Sequence, residues 1–256
     1  MTWIAFSGLA VLLLYVGLCC VLYWMQDRLL YLPTAESNPR EATALLIPSG
    51  DAVLKVWQLH PNAGPALIYF GGNAEDVAAN LPDFDPAFPD RAIYLVNYRG
   101  YGGSTGTPSE AALIADAQTV YDTLRARHER IAVMGRSLGS GVATALTTTR
   151  PVEKLILVTP YDSMANVAAD HLRWAPIRWL IKDRYDSARR IKEIRIPALV
   201  VIAERDEVIF RARSDSLVNA MPAVPHHVLV IPHATHNDIG GYPQYLQGVK
   251  AFLTSP

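Results

Sequence analysis

A short segment with a serine at its centre is the first part of the sequence that could carry out chemistry. Gly135-Arg136-Ser137-Leu138-Gly139 has the pattern G-x-S-x-G, follows the apolar run Ile131–Met134 and opens a stretch rich in Ala and Thr. Between a strand and a helix, this pattern makes a sharp turn that raises the serine hydroxyl above the sheet, with glycines as close neighbours. The segment therefore predicts Ser137 as a nucleophile, and a tight turn with an idle serine is the alternative.

Two more side chains could activate this serine. A hydroxyl is a poor nucleophile unless a base takes its proton and an acid orients the base. Asp206 follows the apolar run Ala198–Ala203, and His236 follows the apolar run His227–Ile231. The chain order serine, acid, histidine is the order expected with such a turn. One strand-helix-strand unit separates Asp206 from His236, so we expect both to lie at the same sheet edge as Ser137.

Other residues near the same strand ends are alternatives for these two roles. Three carboxylates compete with Asp206 for the role of the acid: Glu204, Glu207 and Asp162. His233 competes with His236, but it directly follows Pro232 at the end of a strand, and a structural role explains it more easily. We therefore predict Asp206 as the acid and His236 as the base.

The negative charge that forms on an attacked carbonyl oxygen needs two backbone N–H donors. We expect one donor from Leu138, which follows the serine. The other is expected from the loop Gly71-Gly72-Asn73 after the run Ala66–Phe70, where we predict the N–H of Asn73; a plain glycine turn is the alternative. The Gly-rich segment Asn97–Glu110 has no phosphate-binding register, so we predict no nucleotide and no other cofactor.

The elements that must position these residues alternate between strands and helices. Runs rich in Val, Ile, Leu and Ala are typical of strands buried on both faces, and their alternation with helices predicts a mostly parallel sheet flanked by helices. The predicted strands are Ala44–Pro48, Ala52–His60, Ala66–Phe70, Ala92–Asn97, Ile131–Met134, Leu155–Val158, Ala198–Ala203 and His227–Ile231. The predicted helices are Pro108–Arg127, Leu138–Thr149, Ser187–Ile194, Arg211–Ala220 and Tyr242–Leu253.

One segment, Tyr161–Asp186, interrupts this alternation. It lies where an insertion over the catalytic edge is expected, and Pro176 prevents a long helix within it. We predict a small cap over about residues 161–186. Trp174 and Trp179 either pack the cap on the domain, which is the interpretation we favour, or form an interfacial surface with the basic side chains beside them.

The N-terminal segment is apolar and carries no charged side chain before Asp27. As a helix, Trp3–Met25 would be about 34 Å long, which is enough to cross a bilayer. We predict a membrane anchor over residues 1–26, followed by one domain over residues 27–256, and a single-pass location in the cell membrane. A cleaved signal peptide is the alternative, although a basic start and a cleavage site are missing. Arg28 and Arg40 follow the span and favour a cytoplasmic domain.

Charge and cysteine content exclude some classes of function. The chain has 23 Lys and Arg residues and 24 Asp and Glu residues, so its charge gives no reason to expect nucleic acid as a partner. The two cysteines, Cys19 and Cys20, are adjacent within the apolar N-terminal segment. No ligand spacing for zinc is present, and we predict no metal site.

Five motifs, taken in order, resemble one family. Behind an apolar N-terminus, the chain has the segments YRGYGGSTGTPSE, GRSLGSG, DRYDS, ERDEVI and HATHND. In this order they resemble the membrane-anchored α/β-hydrolase domain proteins, a family that includes relatives of a yeast bud-emergence suppressor and acyl-thioester and lysolipid hydrolases. The resemblance covers roughly residues 20–250. It implies the α/β-hydrolase fold, Ser137 as nucleophile, Asp206 as acid, His236 as base, and esterase, thioesterase or lipase chemistry. Where the family commonly has His-Gly-Asn-Ala-Gly, this chain has Gly71-Gly72-Asn73-Ala74-Glu75, a difference that bears on substrate preference.

These observations predict a membrane-anchored serine hydrolase. Its expected substrates are esters or thioesters that are lipid-like or acylated, because the anchor and the Trp-rich cap favour a site near a bilayer. Two other functions stay open: a catalytically idle scaffold that binds a partner at the membrane, and a peptidase on the same fold.

Overall fold

Eight strands form one sheet in the computed structural model, whose described residues are 2–40, 42–223 and 225–255. They are β1 (Thr43–Ser49), β2 (Ala52–Leu59), β3 (Ala66–Phe70), β4 (Ala92–Val96), β5 (Ile131–Arg136), β6 (Leu155–Val158), β7 (Ala198–Ala203) and β8 (His226–Ile231). Across the sheet their order is β1-β2-β4-β3-β5-β6-β7-β8. Strand β2 runs antiparallel to β1 and β4, and the other neighbours are parallel. The predicted fold class, a mostly parallel sheet flanked by helices, is confirmed.

Helices of varied length connect the strands. They are α1 (Thr2–Leu30), α2 (Leu81–Ala87), α3 (Glu110–Arg125), α4 (Leu138–Thr147), α5 (Met164–His171), α6 (Ile177–Leu180), α7 (Ser187–Arg190), α8 (Arg211–Ala220) and α9 (Pro243–Thr254). Short 3₁₀ segments cover Val77–Asn80, Ile191–Glu193 and Ile239–Gly241. Helix α3 begins at Glu110 and not at the predicted Pro108, because the Ser109 hydroxyl accepts a hydrogen bond from Ala112 N–H at 3.3 Å and caps the helix.

The central strands of the sheet are buried on both faces, whereas the edge strands β1 and β8 are partly exposed, and β3 shows why a central strand is apolar without interruption. Ala66, Ile68 and Phe70 belong to the core that α3 and α4 share, whereas Leu67 and Tyr69 belong to the core on the side of α2 and α9. Successive strand residues point to opposite faces, so a strand covered on both sides has no position that favours a polar residue. The carboxyl ends of the parallel strands remain free to carry the site.

Helix α1 extends away from this core. The part from Phe6 to Leu30 is long and apolar enough to cross a membrane, and Cys19 is its one buried residue. The helix continues to Leu30, so Asp27 and Arg28 form part of its last turns. With so little burial, α1 is not an apolar helix of the core; its contacts are with the cap and, through Leu30, with the core.

The segment predicted as a cap contains helices α5 and α6. Pro176 directly precedes α6, as expected of a residue that cannot continue a helix. The favoured interpretation is that the two tryptophans pack the cap on the domain. This is wrong for Trp179, which is 89% exposed, and Trp174 is only half-buried, at 47% exposed. Ile177 takes the inward position instead and is 7% exposed. Trp174 lies against α1, since its carbonyl accepts a hydrogen bond from the Tyr15 hydroxyl at 3.1 Å and the two ring centroids are 6.5 Å apart.

Candidate active site

Ser137 lies on the turn that joins β5 to α4, and its backbone is strained. Its φ of 49° and ψ of −117° fall in a region that a residue with a side chain rarely adopts, at a cost of about 1–3 kcal/mol. Ser137 N–H donates to the Val158 carbonyl at 2.9 Å, which holds the turn against β6. A side chain at Gly135 would collide with the Gly139 carbonyl, and one at Gly139 with the Phe70 carbonyl. Both glycines of the motif are therefore required by close backbone contacts.

A chain of hydrogen bonds joins Ser137 to His236 and Asp206. His236 Nε2 lies 3.0 Å from Ser137 Oγ, and His236 Nδ1 lies 2.8 Å and 3.0 Å from the two oxygens of Asp206. An ionised carboxylate only accepts hydrogen bonds, so Nδ1 carries the proton. Nε2 of the neutral ring is then free to accept the hydrogen bond of the serine hydroxyl. Ser137 is 9% and His236 6% exposed, which shields these bonds from water.

Asp206 is held by the turn that follows β7. Its Oδ1 accepts hydrogen bonds from Val208 N–H at 2.9 Å and from Ile209 N–H at 2.7 Å. These two bonds fix the orientation of the carboxylate, and its side chain is only 3% exposed. The second oxygen is thereby aimed at the His236 ring.

The alternative acids and the alternative histidine have other partners. Glu204 accepts from His233 N–H at 2.8 Å, and Glu207 accepts from the backbone N–H of His236 at 3.4 Å, not from its ring. Asp162 forms an ion pair with Arg213 at 3.1 Å. The His233 side chain is 69% exposed. Of the residues singled out in the sequence, the structure brings Asp206 and His236 to Ser137.

The two residues predicted as N–H donors border the same cavity as Ser137. Leu138 is the first residue of α4, where backbone N–H groups have no partner within the helix. Gly72, which precedes Asn73, is so close to the serine that a Cβ on it would lie 3.6 Å from Ser137 Cβ. Asn73 and Leu138 both line the cavity with Ser137. Their position fits a developing negative charge next to the serine.

The side chain of Asn73 fixes its loop against the end of α1. Its Nδ2 donates to the Leu30 carbonyl at 2.6 Å, and its Oδ1 accepts from Leu32 N–H at 3.0 Å and from the Tyr101 hydroxyl at 2.9 Å. Burial raises the pKa of Tyr101 to about 12, so its hydroxyl keeps the proton that it donates at neutral pH. The sequence pointed to the backbone of Asn73 and gave no sign of this second role.

Glu75, the carboxylate that replaces a glycine common in the family, is fully engaged. Its Oε2 accepts from Gly72 N–H at 2.6 Å and pairs with Arg136 at 3.2 Å. Its Oε1 accepts from the Tyr69 hydroxyl at 2.7 Å and from the Asn80 amide at 2.8 Å. Burial, and next the charge of Glu75, raise the pKa of Tyr69 well above its usual range, so that phenol remains a donor. Glu75 thus supports the loop that carries Asn73.

Arg136 connects the two loops of the site, and the sequence gave no signal for this role. One of its guanidinium nitrogens pairs with Glu75, and the other donates to the His236 carbonyl at 2.9 Å. The loop with the donor groups and the loop with the histidine are therefore tied to the residue before Ser137. Arg136 occupies the second position of the G-x-S-x-G pattern, which can hold any residue, and in this chain it has a defined structural role.

An apolar cavity of about 280 Å³ opens beside Ser137. Its walls come from α1, from the cap and from the turn after β7. Its lining residues are Leu22, Tyr23, Gln26, Leu29, Leu30, Asn73, Ser137, Leu138, Met164, Val167, Ala168, Leu172, Ile177, Leu180, Ile181, Val208 and Ile209. No Asp, Glu, Lys, Arg or His is among these lining residues. The part of the chain that the structure describes also has no group of three His, Cys, Asp or Glu side chains suited to a metal ion.

Comparisons with known proteins place the chain among hydrolases. The family model described as serine aminopeptidase, S33, matches residues 87–182. An uncharacterized protein of Mycobacterium tuberculosis strain H37Rv is 34% identical over 262 residues, which covers 93% of this chain and 90% of the relative. Alpha/beta hydrolase domain-containing protein 17B of Xenopus tropicalis is 30% identical, over 76% of this chain and 68% of the relative.

A solved structure shares the same fold. The esterase Pf2001 of Pyrococcus furiosus superposes with a TM-score of 0.71, over 87% of this chain and 98% of that chain, at 17% identity. The fold comparison and the sequence relatives agree, and the predicted resemblance to α/β-hydrolase domain proteins is confirmed. The chain belongs to the α/β-hydrolase family, in the branch that includes protein bem46 of Schizosaccharomyces pombe and alpha/beta hydrolase domain-containing protein 17B.

Proposed function

We propose that this protein is a serine hydrolase that cleaves carboxylic esters or thioesters of apolar acyl groups through an acyl-enzyme. The observation that carries the proposal is the hydrogen-bond chain from Asp206 through His236 to Ser137, which ends at an uncharged apolar cavity. Each of the three side chains has the partner that nucleophilic catalysis requires of it.

Acylation begins when Ser137 Oγ attacks the carbonyl carbon of the substrate and transfers its proton to His236 Nε2. Asp206 stabilises the imidazolium that results, and the N–H groups of Asn73 and Leu138 bind the negative carbonyl oxygen. His236 then gives the proton to the leaving oxygen or sulfur, so the alcohol or thiol departs neutral. The acyl group stays on Ser137 as an ester.

Deacylation uses the same groups in reverse. A water molecule gives a proton to His236 Nε2 and attacks the acyl carbon, again with the negative oxygen held by Asn73 and Leu138. The bond to Ser137 Oγ breaks, the serine takes the proton back from His236, and the carboxylic acid is released. No group beyond those of this chain and water is needed.

The cavity supports an apolar acyl group over a charged one. Each methylene removed from water on such a surface contributes about 0.8 kcal/mol, whereas a charge buried without a partner is strongly unfavourable. An aminopeptidase must hold the ammonium group of a peptide with a carboxylate. No carboxylate lies among the lining residues of this apolar cavity, and the one that borders a second cavity of about 320 Å³ beside Ser137 is Glu75. The nearby carboxylate of Glu75 is already paired with Arg136.

The helix Phe6–Leu30 is the proposed anchor in the cell membrane, with one crossing. Trp174 and Trp179 are exposed beside basic residues Arg173 and Arg178, a composition suited to the interface between lipid headgroups and water. Anchoring would bring acylated or lipid-like substrates, which partition into bilayers, close to the cavity.

Labelling with a fluorophosphonate tests the proposal, because this reagent forms a covalent bond with an activated serine. Wild type is expected to react and Ser137→Ala is not, while Ser109→Ala, which removes a hydroxyl that caps α3, reacts like wild type. The same three proteins are assayed on p-nitrophenyl esters of increasing chain length. Equal labelling of wild type and Ser137→Ala overturns the proposal and favours the idle scaffold.

A further inference from the structure

We infer that the last turns of α1 form one wall of the acyl-binding cavity, and that Leu22 limits the length of the acyl chain. This inference rests on the proposed function. It makes the N-terminal helix part of the substrate site, in addition to its role as an anchor.

The α1 residues that line the cavity lie on one face of the helix. Leu22, Gln26, Leu29 and Leu30 are spaced by four, three and one residues, with Tyr23 beside them. At 3.6 residues per turn these positions form a single stripe. Leu22 and Leu30 are about 12 Å apart along the axis at roughly 1.5 Å per residue, so the wall extends over two turns.

One end of this wall is next to the reacting groups. The Leu30 carbonyl accepts the hydrogen bond of Asn73 Nδ2, and Leu32 N–H donates to Asn73 Oδ1. Asn73 and Leu138 border the same cavity as Ser137. Leu22 is therefore at the far end from the serine, where the tip of a long acyl chain would lie.

The wall is held in a fixed register against the cap. Gln26 Oε1 accepts from Lys182 N–H at 2.7 Å, and Gln26 Nε2 donates to the Leu180 carbonyl at 3.3 Å. Further along the chain, the Tyr31 hydroxyl donates to Asp183 Oδ2 at 2.6 Å. Both polar atoms of the Gln26 side chain are thus used in hydrogen bonds with the cap.

The cap supplies further lining of the cavity with apolar side chains of the same character. Its contributions from α5 and the segment after it include Val167, Ala168 and Leu172, and those around α6 include Leu180 and Ile181. An acyl chain between α1 and the cap would be surrounded by hydrocarbon along its length. The outer face of α1 is also apolar and exposed, as at Val21, which is 50% exposed and does not line the cavity.

The test compares full-length proteins in detergent micelles on p-nitrophenyl esters from butyrate to palmitate. Leu22→Trp fills the far end of the cavity, so kcat/KM for the long esters is expected to fall at least about tenfold, the effect of excluding a methylene or more. Activity on butyrate is expected to fall less than activity on palmitate, because a short acyl chain does not extend to Leu22, so the readout is the ratio of kcat/KM between long and short esters. Leu22→Ala shifts the preferred chain to a greater length. Val21→Trp, one position away on the exposed face, keeps the wild-type profile.

Each outcome separates the inference from the proposed function. A Leu22→Trp profile that equals those of wild type and Val21→Trp overturns the inference and leaves the hydrolase intact. If Leu22→Trp loses fluorophosphonate labelling along with all activity, its fold is damaged, and Leu22→Ala then decides: an unchanged preference overturns the inference and a longer one supports it. Wild-type protein that cleaves no ester and labels no better than Ser137→Ala refutes the proposed function itself.

Discussion

The contact between Arg136 and Glu75 predicts that one substitution will both destabilise the fold and loosen the site. The two side chains meet at 3.2 Å and are 18% and 10% exposed. Arg136→Met keeps most of the aliphatic stem but removes the charge, which leaves Glu75 buried without its cation. It also removes the hydrogen bond that Arg136 donates to the His236 carbonyl.

The expected loss follows from this burial. Removal of one partner from a fully buried ion pair costs about 3–5 kcal/mol. Here both side chains keep some exposure to water, and three other hydrogen bonds still stabilise the Glu75 carboxylate, so we expect a loss of about 2–3 kcal/mol. For a chain of this size, each kcal/mol lowers Tm by about 2–4 °C. We therefore expect Arg136→Met to lower Tm by about 4–12 °C.

Thermal unfolding of the full-length protein in detergent measures this loss. The matched control is Arg130→Met, which removes a cation that is 66% exposed and 3.5 Å from Glu153, with an expected effect below about 1 kcal/mol. The double variant Arg136→Met with Glu75→Gln removes both charges, so it should lose less than the sum of the single variants. The turnover of each variant on p-nitrophenyl butyrate reports the positioning of His236.

Two results would refute this reasoning. One is a Tm for Arg136→Met no lower than that of Arg130→Met, which would mean that Glu75 is solvated without its partner. The other is strict additivity in the double variant, which would mean that the two charges do not interact. A fall in kcat with an unchanged Tm would show that Arg136 positions the histidine loop without stabilising the fold.

Three further substitutions test other parts of the site. Asp206→Asn should lower kcat about 10⁴-fold in steady-state assays. The amide oxygen stays on the two backbone N–H donors, so the NH₂ group faces His236 Nδ1 and selects the wrong tautomer of the ring. Glu207→Gln, whose carboxylate accepts from the backbone N–H of that histidine, should change kcat little, and equal losses in the two variants would contradict the assignment of Asp206 as the acid. Gly139→Ala should destabilise by about 1–3 kcal/mol in thermal unfolding, since its Cβ meets the backbone of β3, whereas Gly240→Ala has open space and should keep the wild-type Tm. Tyr101→Phe removes the hydroxyl that donates to Asn73 Oδ1 and accepts from Leu32 N–H, and should cost about 1 kcal/mol with a reduced kcat on esters. Unchanged stability and turnover would show that this hydroxyl does not hold the loop.

The sequence by itself determined the elements and the order of the reactive residues. Burial on both faces requires unbroken apolar strands, and this requirement is local, so β3, β6 and β7 begin and end where their composition predicts. Ser137, Asp206 and His236 each follow a strand, and the parallel arrangement brings strand ends together. Their meeting could therefore be inferred without coordinates.

Only the tertiary structure decided how the site is supported and what encloses it. Arg136 and Glu75 are 61 positions apart, and Gln26 and Lys182 are 156 apart, so no local pattern relates them. The sequence predicts an anchor in the apolar N-terminal segment because length and hydropathy are local properties. The docking of this helix on the cap depends on contacts between distant residues, such as those of the Gln26 side chain with the backbone of Leu180 and Lys182. The exposure of Trp179 was missed for the same reason: composition records that a side chain is apolar, and packing between distant segments determines whether it is covered.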